Sequence, residues 1–311
     1  MGDERSVSDV AVARAVAFAA EAGTAQLVIV RSGDVVVDEV DEAEPVDVFA
    51  VQKGLVSVMF GIAEERELLH LDDPVSDFLG VGWTRLPRAS EARLTIGTVL
   101  DMTTGMDDEL RPLGEVGVSW RYDNVAYNYL KTVLEIVTGT SLSEVTRAWL
   151  FEPLGMDSTS WVERPVLRPD GRPITGLLST ARDLARFGAM VLAGGNGVAP
   201  SAYLGSLGRP GSGENPAWGL CWWNNDQRHH RLPRAESKVQ HGSVTPQAPA
   251  DMIAARGAME NHLYVVPSLD LVVARTAKPV RRGRSPVSFD RSFWEVLAGE
   301  PGSDGSVPRH G

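Results

Sequence analysis

The sequence predicts an α+β fold: one antiparallel sheet built from strands near both ends of the chain, with a mostly helical block inserted between them. Three observations predict it. Two β-branched runs, 26–31 and 35–40, are separated by Ser-Gly-Asp, the pattern of a hairpin. Two further runs, 262–266 and 271–275, lie near the other end and are split by Pro-Ser-Leu-Asp. From about 67 to 175 the pattern changes to short helical stretches and many turns. The expected domains are therefore 1–66 with 176–298 as a discontinuous sheet domain, and 67–175 as a helical domain. Residues 299–311, rich in Gly, Ser and Pro, are expected to form a disordered tail.

Taken in order, the elements follow from their spacing. Ser8 opens an amphipathic stretch to 21, carrying Val10, Val12, Ala13, Val16, Ala17 and Ala20, and Gly23 closes it. After the first hairpin, Val51, Leu55, Val58 and Ile62 mark one face of a helix that starts near Ala50. Helices are expected over 94–103, 126–137 and 181–192, the last closed by Gly194-Gly195. A polar stretch over 224–250 precedes the late strands, and 288–298 reads as a final helix.

Composition narrows the function classes. The chain has 311 residues, 43% of them hydrophobic, and a net charge of −11. An acidic chain repels a phosphate backbone, so nucleic acid is not expected as a partner. The basic spot Arg281, Arg282 and Arg284 reads as solvated surface. Cys221 is the single cysteine; it sits in an apolar run and is expected to be a buried, inert thiol. The N-terminal residues lack an apolar signal core, and no run is long enough to span a membrane. Gly2 and Ser6 meet the minimal myristoylation pattern, but no polybasic second anchor follows. A cytoplasmic location without membrane association is the expectation.

Chemistry is concentrated in two short motifs. Ala50 and Lys53 stand three residues apart at the start of a helix, hence on one face. A serine at position 50 would place its hydroxyl beside the Lys53 amine, where the helix N-terminus favours an alkoxide and a desolvated lysine acts as base. Ser-x-x-Lys itself occurs nowhere in the chain. Tyr122-Asp123-Asn124 precedes the helix at 126–137 and puts a phenol and a carboxamide on one turn. That phenol is suited to proton transfer, and the amide to binding a carbonyl or orienting Lys53. On spacing alone the turn also reads as an N-cap, with Asp123 or Asn124 capping and Tyr122 packing.

Several longer stretches, in this order along the chain, resemble the serine β-lactamase-like superfamily of class C β-lactamases, DD-peptidases and esterases. They are Leu71-Asp72-Asp73-Pro74, Leu94-Thr95-Ile96 through Thr104-Gly105-Met106, Tyr122-Asp123-Asn124, Pro153-Leu154-Gly155-Met156, Leu178-Ser179-Thr180-Ala181, and Val266-Pro267-Ser268-Leu269-Asp270. The Trp218-to-Asn225 stretch and Ala255-Arg256-Gly257 are most similar to the 6-aminohexanoate-dimer hydrolase and carboxylesterase branch.

The resemblance implies a β-lactamase-like fold and acyl-transfer chemistry on a small ester or amide, with no metal or organic cofactor. It implies Ala50 at the vacated nucleophile position, Lys53 and Tyr122 as proton-transfer residues, and an oxyanion hole from the backbone N–H groups of Ala50 and Ala258. Asn124, Arg256, Gly257 and Trp222 would bind substrate, Arg256 through a carboxylate. Of the adjacent Trp222 and Trp223, one is expected in the core and one at the pocket. Glu260-Asn261 departs from the family's usual Gly-Gln. His241 falls on no motif and reads as surface. The leading reading is a serine hydrolase whose nucleophile has been replaced by Ala50. A natural non-catalytic relative that binds a ligand, and an acyltransferase or Lys53–Tyr122 acid–base enzyme, stay open beside it.

Overall fold

The computed structural model describes residues 7–233, 237–278 and 289–299. The residues expected to be surface at 281–284, the first six residues and the expected tail from 300 onward lie outside these.

Ser8 caps helix α1 (Asp9–Glu21), its hydroxyl accepting from Ala11 N–H. Strands β1 (Thr24–Arg31) and β2 (Asp34–Val40) form the predicted hairpin. A two-residue strand, β3 (Val46–Asp47), leads into a single 3-10 turn at Phe49–Val51, and only then does α2 (Gln52–Glu65) begin. Every residue of α2 from Gln52 to Ala63 is buried, so it is a core helix rather than the one-faced helix its spacing predicts. Truncating one of its large side chains, such as Leu55, would cost about 2–5 kcal/mol.

Helix α3 (Asn124–Thr138) is capped by the Asp123 carboxylate, which accepts from Ala126 N–H, and is closed by Gly139. The helix expected over 94–103 is shorter, Ile96–Leu100. Met102 takes a left-handed φ of 59°, and the chain turns there. The block from 67 to 175 is not helical throughout. It ends in a hairpin, β4 (Ser160–Leu167) and β5 (Pro173–Ser179), which pairs with β3 in a three-stranded sheet. Most of β4 is exposed and shows no alternation of burial, so nothing in its side chains announces a strand.

Helix α4 (Ala181–Leu192) is capped by Thr180. Strands β6 (Trp218–Gly219), β7 (Trp222–Asn224), β8 (Ile253–Gly257), β9 (Asn261–Val266) and β10 (Leu271–Ala277) follow, and α5 (Phe289–Ala298) ends the described chain. The large sheet is antiparallel with order β2-β1-β10-β9-β8-β7-β6. The early and late strands are thus neighbours, in register Val30↔Val272. Helices cover both faces: Leu263 of β9 meets Gly188 of α4, while its alternate residues His262 and Tyr264 meet rings of α5. This is the α+β sheet flanked by helices that the sequence predicts.

Candidate active site

A cavity of about 530 Å³ opens between the N-terminal turn of α2, the start of α3, the β4–β5 hairpin and the end of β8. Ala50, Lys53, Tyr122, Asn124, Arg256, Gly257 and Ala258 all line it. Of the sequence-predicted site residues, only Trp222 is absent from its wall.

Lys53 stands on the first turn of α2 and is 3% exposed. Its Nζ donates to Asn124 Oδ1 at 2.8 Å, so the amide at the start of α3 orients the amine. The Nζ also lies 5.0 Å from the Tyr122 ring centroid and 4.2 Å from that of Tyr127. Burial, aided by the nearby Arg164 and opposed by Cys221 and Asp123, lowers its pKa from 10.5 to about 8. Tyr122 is held edge-on to Trp218, and burial pushes its phenol pKa up. Asp123 is buried as the helix cap and also accepts from Thr104 Oγ1 at 2.8 Å; burial raises its pKa to about 6.

Ala50 is half-buried in the 3-10 turn. Preceding it, Phe49 adopts φ 50°, a left-handed conformation that costs a non-glycine residue about 1–2 kcal/mol. The turn is braced by Asp47, whose carboxylate accepts from Phe49 N–H at 2.8 Å, and by Gln52, whose Nε2 donates to Phe49 O at 3.0 Å. Gly257 of β8 packs directly against it: a Cβ there would sit 2.2 Å from Val48 O and 3.3 Å from Ala50 N. Only glycine allows that approach, which brings the backbones at 50 and 258 to one wall of the cavity.

One expected role is corrected. Trp222 is 0% exposed and lies against Gly54 of α2 and the Phe187 ring, so it is a core residue. Trp223, on the opposite face of β7, lines the cavity instead. Arg256, whose charge the resemblance assigns to a substrate carboxylate, lines the cavity. That charge is already met by Asp290 of α5, which also accepts from the Tyr264 hydroxyl. His241, read as surface, is exposed and does not line the cavity. Cys221 is buried, and burial pushes its thiol pKa up.

Sequence reasoning missed Gln52, Arg164 and His262, and marked Glu260 only as a departure from the family pattern. Arg164 enters from β4, pairs with Asp47 at 2.6 Å and lies across Gly176. Glu260 accepts from His262 Nε2 at 3.0 Å, while burial lowers the His262 pKa to about 4. The imidazole is therefore neutral at physiological pH, a hydrogen-bond donor rather than an ion-pair partner. Glu260, His262 and Asp290 bring potential ligand atoms within 4.8 Å of one another. Arg256 and Tyr264 engage the Asp290 carboxylate, so the positive charge a cation would bring is already supplied, and the group reads as an ion-pair and hydrogen-bond network.

Fold and cavity together define a hydrolase-type scaffold: an antiparallel sheet flanked by helices, with a buried lysine at the start of a core helix. The chain belongs to the Beta-lactamase family, whose profile matches residues 12–278. An uncharacterized protein of Alkalihalophilus pseudofirmus is 24% identical over 257 residues, covering 73% of this chain and 72% of that protein. Among solved structures, EstCE1, a hydrolase with promiscuous acyltransferase activity, superposes with a TM-score of 0.70 at 17% identity over 93% of this chain and 99% of its own. D-alanine carboxypeptidase AmpC from Burkholderia cenocepacia gives 0.66 at 18%, covering 94% and 98%. A protein of Bacillus anthracis named a 6-aminohexanoate-dimer hydrolase gives 0.64 at 16%, covering 84% and 75%. At these identities the structural likeness speaks for the fold. No helix among the described residues is long and apolar enough to cross a membrane.

Proposed function

We propose that this chain is the scaffold of a serine acyl-transfer hydrolase for small esters or amides, disarmed at position 50. The observation that carries the reading is Lys53: buried, hydrogen-bonded to Asn124, lowered to a pKa of about 8, and one helical turn from Ala50 on the wall of the cavity. Such an amine has no structural need of that geometry and is poised to take a proton from a neighbouring hydroxyl.

With a serine at position 50, the hydroxyl gives its proton to Lys53 and its oxygen attacks the substrate carbonyl. The N–H groups of residues 50 and 258 face the developing oxyanion. As the bond to the leaving group breaks, Tyr122, kept protonated by burial, passes it a proton and takes up the one held by Lys53. Water or an alcohol then takes the acyl group. The apolar side chains of Val166, Ile174, Trp223 and Leu232 suit an apolar acyl or alcohol moiety, and the hydrolase–acyltransferase neighbour EstCE1 makes both acceptors reasonable. With Ala50 no acyl-enzyme forms, and the chain as it stands binds such compounds without turning them over.

The test is Ala50→Ser assayed on p-nitrophenyl acetate and butyrate. A gain of about 10³-fold or more over the parent chain is expected. A folded Ala50→Ser variant with no gain on esters or amides would overturn the reading in favour of a non-catalytic ligand binder. Turnover by the parent chain itself, abolished by Tyr122→Phe, would instead support proton-transfer chemistry by Lys53 and Tyr122.

A further inference from the structure

A second lysine lies behind the cavity wall, and the reaction outlined above does not use it. Lys131 is on α3, three residues beyond Asn128 and seven beyond Asn124, so the three share a helix face. It is 4% exposed. Its Nζ lies 2.6 Å from Gln52 Oε1, 3.0 Å from Asn128 Oδ1, 2.8 Å from the Thr175 carbonyl and 2.9 Å from Thr175 Oγ1. None of these partners is a carboxylate. The rings of Trp161 and Tyr127 lie 4.8 and 5.2 Å from the amine. Burial, with the charges of Lys53, Arg164 and Arg168, drives its pKa well below the ordinary range.

A lysine placed this way is expensive. Burying an amine without a counter-charge destabilises the fold, and an apolar side chain of equal length would avoid the penalty. What an apolar chain cannot supply is the hydrogen bond to Gln52. That bond fixes which end of the Gln52 amide faces which way. With Oε1 taken by Lys131, Nε2 is directed at Phe49 O, 3.0 Å away. Flipped, the amide would set its oxygen against the Phe49 carbonyl and its NH₂ against the lysine. Phe49 is the left-handed residue immediately before position 50, and its conformation persists only if its surroundings enforce it.

We infer that Lys131 is a positioning residue: through Gln52 it locks the strained turn at Phe49 and so sets the backbone at position 50 for acyl transfer. The inference rests on the proposed acyl-transfer reading. Lys131 does not line the reaction cavity; it borders a neighbouring one of about 300 Å³ formed by α3 and the β4–β5 hairpin. Among its hydrogen-bond partners Gln52, Asn128 and Thr175, Gln52 alone bonds the turn.

The experiment places Lys131→Met and Gln52→Met, singly and together, in the Ala50→Ser background. Each single variant should lower kcat on p-nitrophenyl butyrate about ten-fold or more, with KM moving less than about two-fold, because a misplaced turn weakens the transition state rather than substrate binding. The double variant should be no worse than the more damaged single one, since both break the same chain of contacts. Hydrogen exchange on the parent chain gives a readout independent of turnover: the amides of residues 49–52 should exchange about ten-fold faster in either variant. An inert Ala50→Ser parent would sink the hydrolase reading and leave the exchange measurement to decide the role of Lys131. Losses that add, or a folded Lys131→Met variant with unchanged kcat and unchanged exchange, would overturn the inference. If Lys131→Met fails to fold, Gln52→Met tests the same link from its other end.

Discussion

The helical wall of the cavity and its sheet edge treat their charges in opposite ways. On the helical wall, Lys53 is buried against Asn124 and two aromatic rings with no carboxylate bonded to it. At the sheet edge, Arg256 is paired with Asp290, and Asp290 also takes the Tyr264 hydroxyl. The first arrangement leaves a group whose proton moves readily near neutral pH; the second is saturated by the protein's own partners. Basic residues lining one cavity are thus not equivalent. Of these two, the cation without a counter-charge is the one suited to proton transfer, and the one supplied with a counter-charge is suited to holding structure.

The sharpest way to break this comparison is to remove each cation in the Ala50→Ser background. Lys53→Met should cost about 10³-fold in kcat/KM on p-nitrophenyl butyrate, because the base is lost. Arg256→Met should cost less than about ten-fold, since its charge is already engaged. Equal losses would mean that Arg256 serves the substrate after all. Stability should show the reverse order. Asp290→Asn strands a largely buried guanidinium and should lower unfolding free energy by about 3 kcal/mol in urea titrations. A loss under about 1 kcal/mol would mark the pair as surface-like.

The pH dependence sharpens the same contrast. Activity of the Ala50→Ser variant should rise through about pH 8 as Lys53 gives up its proton, by up to about ten-fold per pH unit on the acidic limb. Stability follows by linkage. The folded pKa is about 8 against an ordinary 10.5, so between these values the unfolded chain binds more protons than the folded one. The penalty for charging Lys53 in the fold is therefore complete below about pH 8 and is relieved as pH rises toward 10.5. Lys53→Met should remove this part of the rise in a pH series of denaturant midpoints. A rate profile flat through pH 8 would remove Lys53 from the role of base.

The two walls also differ in how legible they are in the sequence. Helix-start rules put positions 50 and 53 on one face and mark a cap ahead of α3, but it is the resemblance to the β-lactamase-like family that singles out Lys53, Tyr122 and Asn124. Asn128 and Lys131 follow Asn124 by four and seven residues and so share its helix face, a periodicity that by itself does not tell a core position from a site. The sheet edge follows no such rule. Adjacent tryptophans must face opposite ways, but which one enters the cavity depends on the register of β7 against β8. Arg164 arrives on an exposed strand without alternation, and the partner of Arg256 lies on α5, distant in sequence. Burial patterns foretell layers; pairings between remote polar groups are settled only when the layers meet.

The smallest expected effect tests the sheet edge at its tightest point. Met259 and Glu260 follow β8 with φ of 62° and 64°, two consecutive left-handed residues without glycine. At Glu260 the side chain has a use, since its carboxylate takes the His262 N–H, and removing it would leave a buried donor unsatisfied. Met259 is different: it is 39% exposed, so little packing offsets its backbone strain. Relief of a left-handed non-glycine residue gains about 1–2 kcal/mol, and the added freedom of glycine in the unfolded chain returns about 0.5–1 kcal/mol of it. Met259→Gly should therefore raise stability by up to about 1 kcal/mol, seen as a higher Tm of the parent chain. A lower Tm would show that the Met259 side chain stabilises the edge by more than its strain costs. The wall that looks saturated would then be held in part by an exposed apolar contact rather than by its ion pair alone.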